Sequence, residues 1–183
     1  SVLTWFESYY KNELHHSFWW KKQNLFSLPP LGRDWAVGYT PTLDEYSENL
    51  CSPSYQKNIK NVIDRQKEIE LIGQIMSKSR EANVVIVGDE GVGKHTIVDA
   101  FAKRIYEGKT SSHLAYMRIL KLNMEKILSK ENDLKKREEF LEELLSEAAD
   151  AGKTLIFIDN IHRYITPDNE GVDLTASFEK FAK

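Results

Sequence analysis

The spacing of hydrophobic residues along the chain predicts helices that alternate with short strands. Three stretches carry apolar residues every three or four positions, which is typical of a helix with one buried face. These residues are Ile69, Ile72 and Met76, in a helix over about residues 65 to 78; Ile97, Phe101 and Ile105; and Leu134, Leu141, Leu145 and Ala148. Gly108 and Gly152 follow the second and third stretches, so we expect those helices to end there.

Three short apolar runs predict strands at residues 83 to 87, 117 to 122 and 154 to 158. The first run is continuous, which is typical of a strand buried on both faces. Strands that alternate with helices favour a parallel sheet covered by helices. The predicted fold class is therefore α/β.

The first 50 residues have a different character, because all four tryptophans of the chain fall there: Trp5, Trp19, Trp20 and Trp35. Apolar residues at helical spacing predict an amphipathic helix over residues 3 to 22. Residues 31 to 53 are rich in turn formers and predict an extended stretch that lies over a neighbouring surface, outside the core. We therefore divide the chain into residues 1–50 and 51–183.

Two interpretations of the aromatic N-terminal helix stay open. In the first, its aromatic face packs on the body of the domain. In the second, Trp19 and Trp20 lie with Lys21 and Lys22 at a membrane interface. The second requires a spanning segment upstream of this sequence, because no apolar run within it approaches the ~20 residues that cross a bilayer.

Composition narrows the function classes. Lys and Arg number 25 against 28 Asp and Glu, which gives a net charge of −3. Because binding to a phosphate backbone depends on a basic face, we expect no nucleic-acid partner. A single cysteine, Cys51, allows no internal disulfide, so we expect a reducing compartment, the cytoplasm, with membrane association only through an upstream segment.

A glycine-rich sequence, Gly88-Asp89-Glu90-Gly91-Val92-Gly93-Lys94, lies between the first predicted strand and the following helix. Its glycines allow the backbone to curl so that N–H groups point inward, and the lysine neutralises negative charge. The alternative is a strand-to-helix turn without a ligand. The lysine and the strand-loop-helix context favour a loop that binds phosphate groups.

Asp159 stands at the end of the third predicted strand, 65 positions after Lys94. Open α/β sheets bind ligands at the carboxyl ends of their strands, where an aspartate can position Mg²⁺. A solvated aspartate at a strand end is the alternative. The phosphate loop favours the magnesium role.

Several motifs in this order resemble the Clp family of AAA+ unfoldase ATPases, over about residues 45 to 183. The sequence Asn61 to Ile69 is similar to the family's VIGR-type box, Ile158 to His162 is similar to its IDE-x-H signature, and residues 173 to 182 look like the helix that follows. The resemblance implies a P-loop NTPase fold, the large subdomain of the first ATPase module.

The same resemblance implies the ligands and their residues. Val62 and Ile63 would contact the adenine of ATP or ADP, and Asp159 would hold Mg²⁺. The residues implied for the phosphates are Asp89, Glu90, Gly91, Val92, Gly93, Lys94, His95 and Thr96. Lys94, Asp159 and the position of Asn160 would form the catalytic set.

Three departures from the family pattern reduce the expected activity. The family has Ser or Thr after the loop lysine, and here that residue is His95, whereas Mg²⁺ prefers oxygen. Two interpretations of His95 stay open, a direct contact with phosphate and a partly exposed histidine without a ligand role. The hydroxyl of Thr96 is rotated by about 100° around the helix. Asn160 replaces a glutamate that polarises the attacking water, a contribution of roughly 10² to 10⁴ in rate. Residues 129 to 133, which align with the aromatic pore loop, contain no aromatic residue.

Three hypotheses follow for the function. The first is a degenerate module that binds adenine nucleotide, with weakened Mg²⁺ binding and little or no hydrolysis. The second is a working ATPase completed by further chain or by partner protomers, and the third is an interaction module without nucleotide. The resemblance further implies a ring of like subunits, with a polypeptide substrate or a protease as partner, and a fragment of a longer protein.

Overall fold

The computed structural model describes residues 38–59, 65–78, 82–130, 133–165 and 174–181. The elements, numbered along the described part, are α1 (Pro41–Glu45), β1 (Ser47–Asn49), α2 (Pro53–Gln56), α3 (Gln66–Met76), α4 (Lys94–Tyr106), β2 (Arg118–Leu122), α5 (Met124–Lys130), α6 (Leu134–Ala151), β3 (Thr154–Phe157), α7 (His162–Ile165) and α8 (Thr175–Phe181).

The described strands form one sheet in the order β1-β2-β3. Strands β2 and β3 are parallel, with Lys121 opposite Phe157, and β1 runs antiparallel to β2, with Ser47 opposite Leu122. The α/β class is confirmed, and the sheet is mixed because of β1. The predicted strands at 117 to 122 and 154 to 158 are confirmed to within one residue at their ends.

Helices cover both faces of the sheet because successive strand residues point to opposite sides. Leu120 and Leu122 belong to a buried cluster with Leu141 and Leu144 of α6. Ile119 belongs to a second cluster, which contains the predicted apolar stripe of α4. Each fully buried leucine contributes about 1.5–3 kcal/mol, so these two clusters fix α4 and α6 on opposite faces.

The predicted helix ends are also confirmed. Helix α4 ends at Tyr106, and Gly108 has a φ of +69°. The amide of Lys109 donates to the carbonyl of Arg104 at 2.8 Å, and the amide of Gly108 donates to the carbonyl of Ile105 at 3.1 Å. This is the Schellman pattern, which favours glycine at that position. Gly152 is the C-cap of α6 and also has a positive φ, of +60°.

The expectation of an extended stretch outside the core is wrong for residues 38 to 53. Leu43, Leu50 and Cys51 are 0–2% exposed, and β1 is an edge strand of the sheet. The prolines that suggested turns, Pro41 and Pro53, stand at the first position of short helices, where their missing N–H costs nothing. The predicted helix over residues 3 to 22 lies outside the described residues. The division of the chain into residues 1–50 and 51–183 stays a prediction.

The prediction of a strand buried on both faces at residues 83 to 87 is wrong. This segment joins no strand in the described part of the chain. Val85 and Val87 are 74% and 88% exposed, whereas Ile86 packs on the second cluster. The alternating burial shows an extended chain with one face covered. A continuous apolar run cannot distinguish these two environments, because both tolerate valine and isoleucine.

Among the described helices, none combines the length and the apolar character that crossing a bilayer requires.

Candidate functional site

The glycine-rich loop leads directly into helix α4. Gly91 and Gly93 have φ angles of +83° and +95°, a region that only glycine enters without strain. Gly93 is the N-cap of α4 and supplies no side-chain cap. The first turn of α4 therefore presents backbone N–H groups and the positive end of the helix dipole beside the loop, which suits an anion.

Lys94 is folded back on the loop. Its Nζ donates hydrogen bonds to the carbonyl oxygens of Gly88, at 2.7 Å, and Asp89, at 2.9 Å. Both bonds are exposed to solvent. An incoming phosphate group offers this ammonium an anionic acceptor in place of two neutral carbonyls, which adds a direct attraction between opposite charges.

Arg65 connects the start of α3 to the loop. Its Nη2 donates to the carbonyl of Val92 at 3.2 Å, and its Nη1 lies 3.0 Å from Oε1 of Glu68. The pKa of Glu68 is lowered, first by a backbone hydrogen bond and then by Arg65. The sequence analysis assigned no role to Arg65, although Arg65 lies within the sequence Asn61 to Ile69 that resembles the family's VIGR-type box.

Three charged or polar side chains meet at the carboxyl end of β3. His95 Nε2 lies 3.2 Å from Oδ2 of Asp159, and Nζ of Lys121 lies 3.7 Å from the same oxygen. The His95 ring stands edge-on to Phe157, with ring centroids 6.0 Å apart. The structure thus brings His95 and Asp159 together, whereas the sequence left His95 either without a ligand role or in contact with phosphate. Lys121 was missed, because a lysine inside a strand carries no motif signal.

Asn160 is exposed and has a φ of +50°. Its carbonyl accepts the amide of Arg163 at 3.0 Å, so it is a turn residue between β3 and α7. Asn is one of the few residues that adopt this left-handed conformation readily. The position therefore combines an amide side chain, which cannot accept a proton, with a backbone conformation that a glutamate adopts only with strain.

The residues around Asp159, at the carboxyl end of β3, do not fit a standard Mg²⁺ site. The imidazole of His95 stands where a hydroxyl ligand is required, and one oxygen of Asp159 is already shared by His95 and Lys121. Thr96 is exposed, and its hydroxyl lies beside the backbone of Gly93. Val62 and Ile63, the predicted adenine contacts, lie outside the described residues.

Comparison with known proteins identifies the family. Residues 84–179, more than half of the chain, match the model of the ATPase family associated with various cellular activities (AAA). Chaperone protein ClpB of Oceanobacillus iheyensis is 31% identical over 126 residues, which is 69% of this chain and 16% of that protein. The chloroplastic chaperone protein ClpB2 of Oryza sativa subsp. japonica is 32% identical over 145 residues, 79% of this chain and 14% of that protein. The chain belongs to the Clp-type AAA+ ATPases.

Solved structures agree on the fold of this Clp-type AAA+ chain. The Hsp104–ADP complex of S. cerevisiae superimposes with a TM-score of 0.66 at 21% identity, covering 77% of this chain and 25% of that chain. The extended Hsp104:casein complex gives 0.61 at 23% identity, covering 75% and 24%. The P-loop NTPase fold is confirmed. The chain spans about a sixth of the length of the curated relatives that it matches.

Proposed function

We propose that this Clp-type AAA+ chain binds ATP or ADP through residues 89–96 and hydrolyses it slowly or not at all, so that the nucleotide acts as a structural or regulatory ligand. The observation that carries the second part is Asn160, an exposed amide at φ +50° where the family has a glutamate. The proposed binding of ATP or ADP is supported by the geometry of the loop and by the ammonium of Lys94.

The binding part depends on three sources of positive potential. The helix dipole of α4, the loop N–H groups and the ammonium of Lys94 all lie at residues 88–94. The acidic side chains Asp89 and Glu90 are exposed within the same loop, so they remain solvated and oppose an anion weakly. Val62 and Ile63 stay our prediction for the adenine contacts.

The hydrolysis part follows from proton transfer. Attack on the terminal phosphoryl group requires a positioned water, and a carboxylate contributes on the order of 10² to 10⁴ in rate as its base. The Asn160 amide can accept a hydrogen bond from water but cannot accept its proton. Asp159, the nearby carboxylate, is already paired with His95 and Lys121.

The experiment is a pair of measurements on the whole chain with Lys94→Met as the reference. A titration with a fluorescent ADP analogue should saturate for the natural chain, and phosphate release from ATP should match that of the Lys94→Met variant. Mg²⁺-dependent release well above this variant would favour a working ATPase. Absence of binding at millimolar ADP, with no thermal shift, would favour a nucleotide-free interaction module.

The assembly and the partners are also proposals. We propose a ring of like subunits and a polypeptide substrate, supported by the Hsp104:casein complex of S. cerevisiae among the structural neighbours. A protease partner and a cytoplasmic location stay predictions. Crosslinking of the chain in the presence of ADP, followed by mass determination, tests the ring.

A further inference from the structure

At the proposed nucleotide site, nitrogen atoms of two side chains lie close to the same carboxylate oxygen. Oδ2 of Asp159 lies 3.2 Å from His95 Nε2 and 3.7 Å from Lys121 Nζ. The three residues come from the start of α4, the end of β2 and the turn after β3. The fold therefore brings positive charge from a separate strand to the carboxylate that the resemblance assigns to magnesium.

The sheet register positions Lys121 for this contact. Lys121 is opposite Phe157, two residues before Asp159, in the parallel pair of β2 and β3. Side chains alternate along a strand, so Lys121 lies on the same face as Ile119, which packs in the cluster of α4. His95 is at the start of that helix. The Lys121 side chain is 33% exposed, and its ammonium reaches Asp159 from a partly buried stem.

A divalent cation at this carboxylate would face direct repulsion. An Mg²⁺ ion bonded to the same oxygen at about 2.1 Å would stand within about 6 Å of the Lys121 ammonium. The hydroxyl that normally supplies a second protein ligand is absent at position 95, and an imidazole is a poor ligand for Mg²⁺. Both the charge and the donor set therefore oppose the metal.

We infer that Lys121, with His95 beside it, takes the place of the divalent cation at Asp159, so that this chain binds adenine nucleotide in its metal-free form. The inference rests on the proposed nucleotide binding and adds that the nucleotide is bound without Mg²⁺. Lys121 neutralises Asp159, which would otherwise repel the phosphates, and Lys94 serves the phosphates themselves. The charge of Asp159 is thus neutralised without a metal, and Lys94 remains for the phosphates.

Isothermal titration calorimetry of the whole chain with ADP tests this directly, once in EDTA and once in millimolar Mg²⁺. The natural chain should give dissociation constants that agree within about 2-fold in the two buffers. Lys121→Met, which keeps an unbranched apolar stem and removes the ammonium, should bind ADP about 10-fold more weakly in EDTA. The loss corresponds to about 1.4 kcal/mol. Mg²⁺ should restore part of that loss.

Lys135→Met is the matched control, because it removes one exposed lysine from α6 and changes the net charge equally. It should behave as the natural chain in both buffers. Thermal melts of both variants without ADP show that the fold persists. A second variant, His95→Ser combined with Lys121→Met, should gain the strongest Mg²⁺ dependence, and with Mn²⁺ in place of Mg²⁺ it should show a protein-bound electron paramagnetic resonance signal with ADP.

The outcomes are separable. Tightening of 10-fold or more by Mg²⁺ in the natural chain overturns the inference and leaves nucleotide binding intact. Equal behaviour of Lys121→Met and Lys135→Met overturns the role of Lys121. Absence of ADP binding in both buffers, by calorimetry and by the fluorescence titration, overturns the proposed function and this inference together.

Discussion

Nζ of Lys94 donates to the carbonyl oxygen of Gly88 at 2.7 Å, across the loop that Lys94 itself terminates. A second bond reaches the carbonyl of Asp89 at 2.9 Å. The lysine thus closes the loop on itself and holds its cationic end at the place where we propose that phosphates bind. An anionic phosphate attracts the ammonium more strongly than a neutral carbonyl does, so we expect nucleotide binding to open these bonds.

Replacement of Lys94 by methionine should weaken ADP binding by at least about 10-fold, because one full charge leaves the site. The melting temperature without ADP should change little, since both bonds of Lys94 are exposed and such bonds contribute about 1 kcal/mol or less. Fluorescence titration and a thermal melt measure the two effects. Lys136→Met on α6 serves as the charge-matched control, and equal affinities for both variants would contradict the assignment.

Arg65 should act as an anchor of the loop rather than as a ligand. Arg65→Gln removes the bond from Nη2 to the Val92 carbonyl and should increase amide hydrogen exchange across residues 88–93. ADP affinity should fall by about 3- to 10-fold, since the loop must then be ordered on binding. Glu68→Gln is the control, because it weakens only the neighbouring ion pair. If Glu68→Gln has the larger effect on exchange, the anchoring role is wrong.

Local patterns in the sequence predicted the helices well because their burial follows one period. Ile97, Phe101 and Ile105 are all 4–6% exposed, as their spacing required. The prediction of a strand buried on both faces at residues 83 to 87 was wrong for a different reason. Whether an extended apolar run is covered on one face or two depends on which strands stand beside it, and no local pattern carries that information.

Position 95 shows the same limit at the candidate site. The loop and the end of β3 could be predicted as one site, because parallel strands end at the same edge of a sheet. The contact of His95 with Asp159, and the approach of Lys121 to the same oxygen, depend on the register of β2 against β3. Register is a property of the packed sheet, so a search for motifs passed over Lys121.

Residues 85 and 86 provide a test of the single covered face of this segment. Ile86→Ala should destabilise the chain by about 2 kcal/mol, because Ile86 packs on the second cluster. Val85→Ala should cost less than about 0.5 kcal/mol, because this side chain is 74% exposed. Urea unfolding followed by circular dichroism gives both values. Comparable losses at the two positions would show that Val85 is covered in solution.

Tyr55 should make stability depend on pH in the alkaline range. Its Oη donates to Oδ1 of Asp99 at 3.0 Å, and burial together with this bond raises the pKa of Tyr55. The unfolded chain then loses the tyrosine proton first, above about pH 10. The contribution is therefore complete below pH 10 and declines as the pH rises toward the pKa of the folded state.

Tyr55→Phe should cost about 1 kcal/mol at pH 8, because Asp99 loses a partner. The difference between the two proteins should shrink at pH 10.5. Urea unfolding at both values measures it. The pKa of Tyr164 is also raised by burial, but this residue is present in both proteins and cancels in the comparison. A difference that grows with pH would contradict the prediction.

Restoring the family's glutamate at position 160 should not restore hydrolysis. Asn160 has a φ of +50°, and a glutamate there would carry strain of about 1 kcal/mol or more. Asn160→Glu should therefore lose stability. Its phosphate release should stay at the level of Lys94→Met, because His95 and Lys121 still oppose Mg²⁺ at Asp159. Asn160→Gly relieves the backbone constraint without supplying a carboxylate, so it should be at least as stable as the natural chain. Strong ATP turnover by Asn160→Glu would contradict this prediction. It would show that the missing carboxylate at position 160 is the only factor that limits hydrolysis.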